Sequence, residues 1–81
     1  MTNELLTRAY AAYFRSGGGE TPNDRYSSVE EVKDPQHGTQ QYVVLCNGRN
    51  EILAVYRVRR YDRYLKRLKR WPRALEANNS H

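Results

Sequence analysis

From Tyr56 to Trp71 the chain interleaves cations with aromatic rings. Tyr56, Tyr61, Tyr64 and Trp71 stand among Arg57, Arg59, Arg60, Arg63, Lys66, Arg67, Lys69 and Arg70. Arginine presents a planar fork of donors that fits phosphate or carboxylate, and it stacks on ring faces. Nucleic-acid surfaces combine such cations with rings that stack on bases. These eight cations are therefore the candidate nucleic-acid-binding residues. Between Arg57 and Arg73 nine Lys and Arg face Asp62 alone, a local net of +8. A field of that density steers anions toward it and weakens with salt. A solvated basic face that only keeps a small protein in solution is the plain alternative. The tyrosines also have a structural reading, as core anchors with arginine stems packed over them. That reading is preferred for Tyr56, Tyr61 and Tyr64. Trp71, next to Pro72, is expected to pin the C-terminal segment onto a sheet.

Other residues offer little chemistry. Ser16, Ser27, Ser28 and Ser80 have no histidine at a usable position, so no nucleophile with a base and an orienting acid is visible. Glu30 and Glu31 are adjacent, and on a strand they point to opposite faces, which prevents joint acid–base work. His37 stands alone in a turn-rich link. One cysteine and two histidines cannot build a zinc site, and one cysteine cannot close an internal disulfide. Cys46 is expected to be a small structural residue. Gly17, Gly18 and Gly19 lack the strand before and the Lys-Ser/Thr after that a phosphate loop requires, so they read as a connection. The expectation is a binding protein with no enzymatic activity, no cofactor and no metal.

These residues need elements to position them. Thr2 or Asn3 can cap a helix over about 3–15, with Leu6, Tyr10, Tyr13 and Phe14 at helical spacing and Leu5 and Ala9 widening the stripe. Ser16 and the glycines end it. Residues 20–25 read as loop and Tyr26–Lys33 as an edge strand. Gln41–Cys46 and Glu51–Arg59 are the clearest strands, joined by the hairpin signal Asn47-Gly48-Arg49-Asn50. One face collects Val43, Leu45, Ile52, Ala54, Tyr56 and Val58, a core for the helix to cover. The other collects Tyr42, Val44, Cys46, Leu53, Val55, Arg57 and Arg59, apolar near the turn and cationic at the far end. That second face needs its own cover: the C-terminal segment, a second subunit or a ligand. Leu53, mid-strand, is expected to tolerate a charge less well than Leu5 in the first helical turn. Tyr61, Leu65 and Leu68 recur at i, i+4 and i+7, which predicts a basic helix ending near Trp71 and placing Lys66, Lys69 and Arg70 together. A further strand after a Tyr61-Asp62-Arg63 turn is the alternative.

The fold expected is therefore α+β: an N-terminal helix on an antiparallel sheet of two or three strands, followed by a basic C-terminal helix, or else a longer meander with one main helix. At 81 residues there is room for a single core, over 1–77, with 78–81 as a frayed tail. Hydrophobic residues make up 38% and charged residues 28%, and mean hydropathy is −0.98. No apolar run approaches the roughly 18 residues of a membrane helix, and no signal-peptide pattern opens the chain. Residues 1–40 carry a net −2 and residues 41–81 a net +7. The partner expected is nucleic acid, or else an acidic protein surface. A homodimer is expected from the apolar second face, and the location expected is cytoplasmic. Helix, three strands and helix is also the order of double-stranded-RNA-binding domains. The stretch 63–70 lacks their Lys-Lys-x-Ala-Lys run, so no family follows from it.

Overall fold

The computed structural model describes residues 4–36, 38–71 and 75. Its elements are α1 (Glu4–Arg15), β1 (Ser28–Asp34), β2 (Gly38–Cys46), β3 (Ile52–Val58) and β4 (Leu65–Leu68). The strands form one antiparallel sheet in the order β1-β2-β3-β4. The α+β class holds, in the form of the longer meander with one main helix. The tail at 78–81 and His37 lie outside the described residues.

Helix α1 forms where its apolar stripe meets the sheet. Leu5, Ala9 and Tyr13, four apart, are buried against Val43, Leu45, Ala54, Tyr56 and Val58. It stops where glycine reverses the chain. Gly17 takes φ 87°, its amide donates to the Phe14 carbonyl, and that of Gly18 donates to the Tyr13 carbonyl. This pair of bonds satisfies carbonyls the helix end would leave open. It also commits both amides, so these two glycines are a helix stop with no amide left to cradle a phosphate. A Cβ at Gly18 would run into the Tyr13 ring.

The expected basic helix over 61–71 does not form. Residues 60–62 turn and β4 follows. Tyr64 donates its amide to the Asp62 carboxylate at 3.0 Å, and Arg63 adopts a left-handed φ of 56°. The Arg63 amide bonds the Arg59 carbonyl, and the Arg59 amide bonds the Tyr64 carbonyl. An isolated helix of ten residues is marginal in water, whereas β3 offers an open ladder edge. Pairing with β3 turns Leu65 to the helix-covered face and Leu68 to the opposite one. The three-residue spacing of Leu65 and Leu68, which also fits a helical stripe, thus places one leucine on each side of the sheet.

The second face is closed within the chain. Tyr42, Val44, Cys46 and Val55 are buried with Leu75, which is fully buried, and Tyr26, Val32, Ile52, Leu68 and Trp71 pack around them. Trp71 lies on the sheet as expected, and the open face that argued for a homodimer is covered. A register shift between Leu45 and Cys46 pairs Leu45 with Ala54 but Cys46 with Ile52. Leu53 is the extra residue of this bulge, so Ile52 packs on the second face and Leu53 on the first, the reverse of the simple alternation. Leu5 is 3% exposed, whereas Leu53 is only partly buried. The expected ranking of a charge at these two positions therefore reverses.

Candidate nucleic-acid interface

The β3–β4 hairpin sets the position of the cations. Arg57 pairs in register with Tyr42 on one side and Lys66 on the other. These residues share the face of Val55, so the half-buried Arg57 and the exposed Lys66 form its cationic end. Arg67 neighbours Lys66 in sequence but points to the helix-covered face. Its guanidinium lies 5.9 Å from the Tyr13 ring centre and donates to Ser16 Oγ at 3.2 Å. Lys69 and Arg70 are exposed just past β4. The helical grouping of Lys66, Lys69 and Arg70 is replaced by a division of Lys66 and Arg67 between the two faces.

The tip of the hairpin gathers the other cations with the rings. Arg59 donates to the Tyr61 hydroxyl at 2.6 Å and approaches the Asp62 carboxylate at 3.6 Å. It stands 5.2 Å from the Tyr61 ring centre and 5.9 Å from that of Tyr64. The bond to Tyr61, and then the charge of Asp62, hold the guanidinium pKa above its ordinary value; like any arginine, Arg59 is a cation throughout the ordinary pH range. Arg60 donates to the Thr39 carbonyl at 2.9 Å, which ties the tip to β2. Arg59, Arg60 and Arg63 line a small cleft with Glu31, Thr39, Gln41 and Val58.

Tyr56 is a core residue, as its structural reading has it. Tyr61 and Tyr64 are not, being 83% and 57% exposed. A short tip beyond the end of β3 has no second layer to bury them.

A larger groove, of about 580 Å³, runs between α1 and β4 and is lined by Arg8, Ala11, Ala12, Arg15, Ser16, Tyr64 and Leu65. It lies where α1, packed mainly over β2 and β1, borders β4, whose Leu65 packs against the core under the helix and whose Arg67 reaches Tyr13 and Ser16. Sequence reasoning passed over Arg8 and Arg15. Their seven-residue spacing with alanines between them marks one helix flank, but nothing local says that this flank faces Tyr64.

Cys46 is fully buried, and burial pushes its thiol pKa up, which keeps it protonated and poorly nucleophilic at neutral pH. Among the described residues no His, Cys, Asp and Glu cluster could hold a metal ion. No described helix is long and apolar enough to cross a membrane. No family model, curated protein or solved structure matches the chain.

Proposed function

We propose that this chain is a small non-enzymatic binding module that engages nucleic acid through the cations and rings of its β3–β4 hairpin. The observation that carries this reading is the exposure of Tyr61 and Tyr64 in the company of Arg59, Arg60 and Arg63. Rings serving only the fold would be buried, and arginines serving only solubility would need no rings beside them. Among the described residues the only carboxylate within ion-pair distance of the eight candidate cations is that of Asp62, at Arg59. Against the described residues, seven of the eight cations are left without a carboxylate partner.

The mechanism is phosphate neutralisation with release of counterions, aided by ring stacking. Binding should fall steeply with salt and depend weakly on sequence. The test is a salt titration with single-stranded and duplex oligonucleotides, for the parent and for Arg60→Ala/Arg63→Ala/Lys66→Ala. The variant should lower the log–log salt slope by two to three, at about 0.7 to 0.9 per lost contact. Absence of binding to any nucleic acid at low salt defeats the proposal. Tighter binding of an acidic peptide than of any oligonucleotide would point instead to an acidic protein surface as the partner.

A further inference from the structure

We infer that the groove between α1 and β4 holds a single-stranded segment of nucleic acid, with a base stacked on Tyr64 and phosphates on Arg8 and Arg15. The inference rests on the nucleic-acid reading above and narrows it from any polyanion to an unpaired strand.

Four features carry it. The groove is concave, bounded by the α1 flank and by the Tyr64–Leu65 segment. Direct readout of a duplex uses a convex helix or ribbon that enters the major groove, and this concavity presents neither. The walls are charged with one sign: among the described residues Arg8 and Arg15 line the groove and no carboxylate does, and Arg67 lies beside it through its bond to Ser16. Arg8 and Arg15 are seven residues apart on one helix, hence about 10 Å along its axis, far enough to meet separate phosphates of one strand.

The third feature is the surface between the arginines. Ala11, Ala12 and Leu65 make it apolar, and the two alanines leave room for a flat ring. Tyr64 stands at one end, 57% exposed, with the Arg59 guanidinium 5.9 Å from its ring centre. Base–ring stacking is tolerant of sequence and needs an unpaired base.

The fourth is the strand itself. β4 is the last described strand of the sheet, and just before it the Tyr64 carbonyl accepts from the Arg59 amide. Alternation along an antiparallel ladder then turns the backbone polar groups of Leu65 and Arg67 to the edge away from β3, where no described strand pairs with them. They can meet base edges or phosphates there.

The experiment is fluorescence anisotropy with a labelled twelve-nucleotide single strand, the same sequence as a duplex, and an oligoglutamate peptide. The proteins are the full chain and its Tyr64→Ala, Tyr64→Phe and Arg8→Ala/Arg15→Ala variants. All these positions are exposed, and unchanged thermal melting checks the fold. The single strand should bind at least tenfold tighter than the duplex. Tyr64→Ala should weaken single-strand binding about tenfold, while Tyr64→Phe, which keeps the ring, should bind as the parent does. The double arginine variant should lower the single-strand salt slope by about 1.4, at about 0.7 per contact. Equal or tighter duplex binding, or indifference to Tyr64→Ala and the double arginine variant, overturns the groove and leaves the broader reading standing. No binding to either nucleic acid overturns both, and preference for oligoglutamate replaces the ligand class.

Discussion

Among the described residues the buried Tyr56 hydroxyl has no hydrogen-bond partner, nor has the indole N–H of Trp71. A buried polar group left unpaired costs about 1–3 kcal/mol. Tyr56→Phe keeps the ring that packs with Tyr13 and Val43 and removes that cost, so thermal melting should show it to be as stable as the parent or more so. The same residue governs behaviour in alkali. Burial, the larger influence, raises the Tyr56 pKa, and the nearby Arg67 charge offsets part of the rise. Burial also raises Tyr10, as does its hydrogen bond to Asp24, and burial raises Cys46. A group whose pKa is higher folded than unfolded keeps its proton in the native state. It contributes stability that is whole below its unfolded pKa and is lost as pH rises through the folded one. The ordinary values here are 9.0 for cysteine and 10.0 for tyrosine. Stability should therefore hold to about pH 9 and fall beyond it, less steeply in Tyr56→Phe. Denaturant melts at pH 8 and pH 10.5 check this, and equal losses for parent and variant would show that Tyr56 does not contribute.

In the β3–β4 turn the needs of the fold and of the proposed ligand meet at one residue. Arg63 occupies the left-handed region, a conformation costing about 1–2 kcal/mol for a side chain with Cβ and nearly nothing for glycine. Arg63→Gly should therefore raise the melting temperature by several degrees, at about 4–8 °C per kcal/mol for a domain this size. It should also weaken nucleic-acid binding by removing a cation. A binding loss without any gain in stability would mean that the turn is not strained at Arg63. This element also marks the boundary of what sequence could show. Helix α1, strands β1 to β3 and the Asn47–Asn50 hairpin were legible because their signals are local: apolar spacing, a glycine stop and turn residues. β4 was not, because Leu65 and Leu68 fit either a helical stripe or opposite faces of a strand. Only the open edge of β3 decides between them. The bulge that exchanges Ile52 and Leu53 has no local signal either, since it depends on the pairing of Cys46 across the hairpin. The candidate cations could all be named from sequence. Their grouping, and the place of Arg8 and Arg15 in one groove with Tyr64, required the third dimension.

The whole molecule is a sheet covered on both sides, and its two covers differ in kind. α1 supplies a helix of twelve residues on one side. On the other, the described C-terminal cover consists of Trp71 and Leu75, packed over Tyr42, Val44, Cys46 and Val55. A domain of this size holds only some 5–15 kcal/mol of stability, and truncating a fully buried leucine to alanine costs about 2–5 kcal/mol. Leu75→Ala should therefore lower the melting temperature by ten degrees or more, although Leu75 is not among the described residues that line the proposed groove. Leu75→Asp should go further, because a carboxylate cannot remain in an apolar pocket without a partner. The cover would detach, leaving an apolar strip of sheet exposed to water, and such strips associate. Sedimentation should show one mass for the parent across concentrations and a concentration-dependent rise for Leu75→Asp. Cys46, fully buried in that strip, reports on the same event: its thiol should react slowly with a disulfide reagent in the parent and quickly in the variant. A parent that sediments as a dimer, with Cys46 still protected in Leu75→Asp, would mean that a second copy, rather than the chain's own C-terminal segment, covers the face.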